Sequence, residues 1–405
     1  MNKNIIFMYS TYIFNMLFPM ILMPLITNNI TQEEYGYYSL AYTCFTFCFI
    51  LCDFSFNLTE ARNIFKKNSD EINDTIKNVQ FARYLLAISA TIIATIYFVS
   101  IDGIANVLFY FIVTLLGLLG YVSFVSWFYV ATNNMKQNTF LFVLMKLLSL
   151  ISVLVSVNIF GVLDWKIVYF SSVIYYPIIG FIITFNLLKS KNIKVDFYIY
   201  PILNKMKAGL YLFITDFAPN LYNTIPIILI SSYISIDKYA IFNLANRLAL
   251  VVSGGLYVFL RAIYPSLCVK YNKFNAMKLM VLIVIVILSG LIINYFFGKE
   301  IISKLFGGDY VGAYKYVSVT LIGILFLGVS ESIQFAYLLP NKKDKFLAKV
   351  SAVVVVSSLL FLFFSFDALK EWSIIYTLLF SRFIFMLSYV SYYILNLYSK
   401  VRNEN

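Results

Sequence analysis

The sequence predicts an all-α integral membrane protein: about twelve transmembrane helices in two six-helix bundles, arranged as parallel repeats with both termini cytoplasmic. Three observations carry this expectation. Of 405 residues, 61% are hydrophobic and only 12% charged, so the chain lacks the polar surface that a soluble protein of this size shows to water. Continuous apolar runs of 20 or more residues recur along it, each able to cross a hydrocarbon core of about 30 Å at about 1.5 Å per residue. A barrel strand would instead alternate over about ten residues. Finally, 21 of the 31 lysines and arginines fall in alternate connections or at the span ends beside them, Arg83 counted among them, which places those connections and both ends of the chain in the cytoplasm.

The expected spans are 5–27, 36–60, 82–101, 104–131, 139–160, 167–188, 209–235, 239–264, 277–297, 312–339, 346–366 and 372–398. The first is too long for a signal-peptide core and no small-residue cleavage site follows it, so it reads as an uncleaved anchor. It carries Asn15, Pro19 and Pro24. The second carries Cys44, Cys48 and Cys52 at a spacing of four, one face of a helix; they read as small packing residues, neither a disulfide framework nor a metal site. Asp53, Asn57 and Glu60 share another face of this span. A polar connection, 61–81, leads to the third and fourth spans, and the fifth contains Lys146.

A lysine-rich cytoplasmic linker, 189–208, divides residues 1–188 from 209–405, six spans on each side. Because six is even, both halves start on the same side of the membrane, as parallel repeats do. The seventh span carries Asp216, Pro219, Asn220, Asn223 and Pro226, so each half opens on an asparagine-bearing helix expected to be broken by proline. Interrupted helices at matching positions point to a transport path.

In the eighth span Asn243, Arg247, Gly254 and Arg261 fall in one narrow stripe. An arginine inside a membrane is expensive unless it faces protein or water, and its planar fork suits a phosphate. Arg247, Lys146 and Arg261 are therefore the candidates for lining a cationic cavity and meeting a diphosphate. Arg382, in the twelfth span, either adds positive charge to that cavity or, being expected near the outer end, only snorkels. Asp216, Asp53 and Glu331 are candidates for coupling to a proton or sodium gradient, or for service as counter-ions; Gln334 lies one turn beyond Glu331.

The net charge of +12 follows topology and gives no case for nucleic acid. The chain has no histidine, which removes the usual general base and metal ligand, and no catalytic constellation or cofactor motif is evident. All outer connections are short, the longest being about 298–311, so no outer catalytic domain is expected.

Several segments resemble bacterial polysaccharide repeat-unit flippases, the O-antigen transporter (Wzx-type) branch of the multidrug/oligosaccharidyl-lipid/polysaccharide exporter superfamily. They are Asn15 with Pro19 and Pro24, Glu34 to Tyr38, Asp53 to Arg62, Trp127 to Tyr129, Leu221 to Asn223, Asn246 to Leu248, Tyr264 to Leu267, and Leu305 to Tyr310. The likeness runs over nearly the whole chain, and Ser55 stands where the family more usually has glycine. The resemblance implies a multi-pass protein of the bacterial inner membrane. Its cargo would be undecaprenyl-diphosphate-linked oligosaccharide, moved from the cytoplasmic to the outer leaflet by alternating access. It also implies a polysaccharide polymerase and a chain-length regulator as partners. A multidrug or cation antiporter of the same superfamily is the alternative; its cavity would favour acidic residues over arginines.

Overall fold

The computed structural model describes residues 3–404 except 57–58, 61–68, 133, 161–163, 191–202, 204–205, 208, 211, 215–216, 218–219, 222, 270–271, 273 and 370–371. Helix is the only regular structure among the described residues. Eleven helical segments there are long and apolar enough to cross a membrane. The expected seventh span, 209–235, falls partly on residues outside the description.

The chain divides into two compact units, Met1–Phe18 with Leu25–Ala218, and Pro19–Pro24 with Pro219–Asn405. The first unit holds α1 (Lys3–Thr27, apart from its segment 19–24), α2 (Gln32–Asp53), α3 (Ser69–Asp102), α4 (Val107–Ser123), α5 (Ser126–Ala131), α6 (Met135–Phe160), α7 (Trp165–Val173) and α8 (Tyr175–Ser190). The second holds α9 (Ile225–Leu229), α10 (Ile236–Val269), α11 (Asn275–Phe306), α12 (Ala313–Ile333), α13 (Asp344–Leu369) and α14 (Trp372–Glu404). Many large apolar side chains are exposed along these helices, such as Ile96 and Phe363, as surfaces facing lipid require.

In the first unit α4 packs against α2, α3 and α8. Glycines set the α4–α8 approach. A Cβ on Gly120 would collide with the backbone of Tyr176 and Pro177, and one on Gly180 with the Gly120 carbonyl. Small residues let two backbones close up where lipid supplies no hydrophobic drive. The sixth span is two helices, because Pro177 has no N–H to donate to Val173 four residues earlier, and α7 ends there. The fourth span also divides, at Val125, whose φ of 48° takes the chain out of α4 and into α5.

In the second unit α12 is central, packed against α10, α11 and α14. It continues into a π-helical turn, Gln334–Leu338, closed by Leu339 N–H donating to the Gln334 carbonyl at 2.9 Å.

Several expectations are corrected. Helix α1 runs unbroken through Pro19 and Pro24: each proline removes one backbone donor, and the rest of the ladder holds. Ahead of Pro226 the helix is interrupted as expected, by a turn at Thr224, and Pro226 then sits at the start of α9, where its missing N–H costs nothing. Pro219 lies outside the described residues. Helix α2 stops at Asp53 because Phe54 and Ser55 take φ of 41° and 56°, so Asp53 and Glu60 do not share a helical face, and Asn57 lies outside the described residues. Left-handed backbone favours glycine, which explains why position 55 would carry one. Helix α3 begins at Ser69, so most of the expected connection up to 81 that is described is helical, and α11 runs to Phe306, well into the expected 298–311 loop.

Candidate functional site

The candidate cations divide by unit. In the first, Lys146 sits on α6 about ten residues, or roughly 15 Å, from the Lys136 end of its span, close to the middle of the membrane. Its Nζ donates to the Tyr42 hydroxyl on α2 at 3.3 Å and lies 5.2 Å from the centre of the Phe18 ring on α1 and 5.8 Å from that of Phe142. Tyr176 on α8 supplies a second hydroxyl to it. Four helices thus surround a half-buried ammonium with hydroxyls and ring faces, and no carboxylate lies within ion-pair distance of it among the described residues. Ring faces attract a cation without cancelling its charge.

A different arrangement holds Arg83. Counted among connection residues on the sequence pattern, it is instead inside α3 and 1% exposed. Its Nη2 donates to Asp53 Oδ1 at 2.6 Å and its Nη1 to the Val122 carbonyl at 3.0 Å. Gln80 donates to the same carbonyl at 2.8 Å, and the Tyr121 hydroxyl donates to Asp53 Oδ2 at 2.7 Å. Val122 lies in the last turn of α4, where its carbonyl receives a long backbone bond, from Val125 N–H at 3.4 Å. Asp53 is therefore the counter-ion of a buried arginine that ties the ends of α2 and α4 to α3.

In the second unit, two members of the expected α10 stripe, Asn243 and Arg247, are joined by a hydrogen bond. Tyr239 and Asn243 are buried; Asn243 Nδ2 donates to the Tyr239 hydroxyl at 3.1 Å, and Arg247 Nε donates to Asn243 Oδ1 at 2.7 Å. This relay fixes the plane of the Arg247 guanidinium, which is half-buried. Arg261 lies fourteen residues on, roughly 21 Å along the helix, so the two arginines do not share one small ligand. Its Nη1 contacts the Tyr257 hydroxyl at 3.4 Å, a local pairing one turn back.

Glu331 is on α12, three residues before the π-helical turn. Its Oε2 is buried and has no hydrogen-bond partner among the described residues, and Arg382 on α14 is the cation that acts on it electrostatically. Arg382 lies ten residues into its span, near mid-membrane and not at the outer end. It is accommodated by Gly323, where a Cβ would stand 3.0 Å from Nη1 and 3.3 Å from Cδ. Asp216 lies outside the described residues, and so does any pairing of it with Arg261.

The tyrosines of the Lys146 pocket could not be chosen from 33 in the sequence, because their role comes from three other helices converging on α6. Arg83 had a signal, an arginine next to the apolar run 85–99, but the boundary reading absorbed it as a connection charge.

Comparison with known proteins gives a consistent picture. Residues 1–269 match a family model described as polysaccharide biosynthesis protein. A Shigella dysenteriae protein assigned as an O-antigen transporter is 22% identical over 392 residues, covering 96% of this chain and 98% of its own. Among solved structures, the lipid II flippase MurJ in an inward closed conformation aligns with a TM-score of 0.69 at 13% identity, over 96% of this chain and 87% of its own. A point mutant of the Vibrio cholerae MATE transporter VcmN aligns at 0.55 and 12% identity, over 98% and 97%. These similarities of structure establish the fold, one shared with MurJ and VcmN.

Proposed function

Since the chain belongs to the polysaccharide biosynthesis protein family, we propose that it is a flippase that carries undecaprenyl-diphosphate-linked repeat units across the bacterial inner membrane by alternating access. The matched Shigella relative, named for O-antigen transport, supports the class of cargo. The observation that carries the reading is Lys146: an ammonium near mid-membrane, held by hydroxyls and aromatic rings. Such a group is costly in lipid and has use where an anion must pass. Arg247, with its plane fixed by Asn243, is the corresponding candidate in the second unit, and each is proposed as a phosphate contact in its own right. Arg261, nearer the cytoplasmic end, is a weaker candidate of the same kind.

The membrane potential acts on the cargo as well. With the inside negative, outward movement of a diphosphate is favoured by about 2.3 kcal/mol per charge per 100 mV. Ion coupling is an addition to this drive. Of the carboxylates proposed for it, Glu331 is the stronger candidate, since Asp53 is committed to Arg83 and Tyr121. A polymerase and a chain-length regulator are the proposed partners on the outer side.

The test is complementation. In a strain lacking the gene, Lys146→Gln at matched membrane level should abolish long surface polysaccharide and trap single lipid-linked units in the inner leaflet, with Lys146→Arg the milder change. Normal export by the glutamine variant would remove Lys146 from the pathway. Unchanged surface ladders on deleting the gene would defeat the flippase reading itself. Glu331 is the observation that favours the alternative, a multidrug or cation antiporter, and drug-efflux assays on the deletion strain decide that case.

A further inference from the structure

We infer that the first unit carries a binding site for a zwitterionic aminophospholipid, of the phosphatidylethanolamine class, taken from the outer leaflet and distinct from the transported cargo. A groove of about 590 Å³ lies between α6 and α7, open on the side of the exposed Ile151, Val155 and Ile159. Its serines are turned inward: Ser152 donates to the Ser171 carbonyl at 3.1 Å, and Ser156 to the Ser152 carbonyl at 2.8 Å. The wall left to an occupant is apolar. From Lys166 at its mouth to Tyr175 the groove spans nine residues, roughly 13 Å, close to the half-thickness of a hydrocarbon core of about 30 Å. On the orientation set by the lysines and arginines, Lys166 is at the outer surface and the groove fills the outer leaflet. One acyl chain would lie along it.

An acyl chain gains little by leaving lipid for an equally apolar groove, so selectivity must come from the headgroup. Lys166 is the charged residue of the groove's lining, and Asp164 stands beside it. Lys166 Nζ stands 3.9 Å from Asp164 Oδ2, beyond hydrogen-bond reach, and both side chains are partly exposed. Asp164 acts electrostatically on Asp102 at the end of α3 and on Glu34 in the first turn of α2, and Lys166 acts on Asp102. Glu34 also accepts the Trp165 N–H at 2.7 Å, and Asp102 accepts from Asn106 at 2.7 Å, so the cluster is built from several helices. Asp164 beside this ammonium and Asp102, on which it acts, repel a purely anionic headgroup. A phosphoethanolamine satisfies both sides: phosphate on Lys166, and a primary ammonium, which donates hydrogen bonds, among the carboxylates. A choline headgroup has no N–H to donate and fits less well.

The test is lipid retention by the purified full chain, measured by native mass spectrometry after exchange with dioleoyl-phosphatidylethanolamine, -phosphatidylglycerol or -phosphatidylcholine. The wild type should retain one ethanolamine lipid in preference to the other two. Lys166→Glu should cut that retention by about tenfold, the loss of one charge-assisted contact, and Lys166→Gln by less. Because Lys166 is partly exposed and not in the core, both variants should elute as folded protein. Ser156→Phe, which narrows the groove and leaves the charges in place, should reduce retention of all three lipids. Equal retention of the three lipids by wild type, or undiminished ethanolamine-lipid retention in Lys166→Glu, overturns the proposal. So does displacement of the ethanolamine lipid by equimolar undecaprenyl phosphate in a Lys166-dependent way, which would assign the groove to the cargo's tail.

Discussion

The Asp53–Arg83 pair separates a structural carboxylate from a coupling one. Arg83 is 1% exposed and has three polar contacts in view: Asp53 at 2.6 Å, the Val122 carbonyl at 3.0 Å, and the Tyr121 ring 5.8 Å from its guanidinium carbon. Asp53→Asn leaves that guanidinium buried against a neutral amide. Removing one partner of a buried pair costs about 3–5 kcal/mol, and because the Asp53 side chain is 21% exposed, the lower end, about 3 kcal/mol, is expected. Replacing both partners, with Asp53→Asn and Arg83→Met together, removes the stranded charge. Gln80 still donates to the Val122 carbonyl at 2.8 Å, so the end of α4 keeps a partner. The double variant should lie within about 1 kcal/mol of wild type, which gives a coupling energy of at least about 2 kcal/mol. The assay is unfolding by SDS titration in mixed micelles, run beside surface-polysaccharide export in complemented cells. A double variant no more stable than Asp53→Asn alone would refute the counter-ion role. A double variant that regains stability but not export would show that Asp53 does more than hold Arg83.

Four other substitutions check the packing, the backbone and the Lys146 site. Gly180→Val should abolish membrane accumulation, because its side chain meets the Gly120 carbonyl backbone, whereas Gly290→Ala, in α11 with nothing within 4 Å of the added carbon, should be neutral or stabilising by about 0.5–1 kcal/mol; yield and unfolding midpoint report both. Ser55→Gly should stabilise by about 1 kcal/mol, since the residue has φ of 56°, and no gain in the unfolding midpoint would count against strain there. Tyr42→Phe removes the hydroxyl 3.3 Å from Lys146 and keeps the ring; export should fall several-fold with little change in membrane level, and unaffected export would mean that the hydroxyl does not orient the ammonium.

What the sequence made legible follows the physics of lipid. Long apolar runs have one solution in a bilayer, a helix, so spans such as 139–160 and 346–366 were found to within a few residues of α6 and α13. Helical extensions outside the apolar runs were not legible, as at Ser69–Gln80 and the end of α11, because nothing in hydropathy distinguishes a polar helix from a polar loop. Breaks were misjudged in both directions. Pro19 and Pro24 remain within α1, while Phe54, Ser55 and Val125, none of them a sequence breaker, take left-handed backbone where α2 and α4 end. Those conformations are imposed by tertiary contacts, here the buried group around Phe54, Val125 and Trp127. Among the candidate side chains, the Asn243–Arg247 relay was legible because it is local to one helix; the surroundings of Lys146, Arg83 and Arg382 were not, because other helices supply them.

The contrast between Arg83 and Lys146 bears on how a flippase lets go. Arg83 is held by an ionised carboxylate at 2.6 Å and a backbone carbonyl, so exchanging those partners for a passing phosphate would strand Asp53. Lys146 is held by the hydroxyls of Tyr42, at 3.3 Å, and Tyr176 and by ring faces, contacts of about 1 kcal/mol each that strand no charge when broken. In the role proposed for Lys146, a phosphate would displace them, and they would displace it in turn. A carrier needs that reversibility, because a site that binds its cargo equally well in every state moves nothing, and one that binds too tightly does not release. On this reasoning a carboxylate introduced beside the ammonium, as in Phe142→Glu, should slow export more than the loss of one hydroxyl in Tyr42→Phe. Equal effects of the two variants, at matched membrane levels, would mean that exchange of partners at Lys146 is not a step in transport.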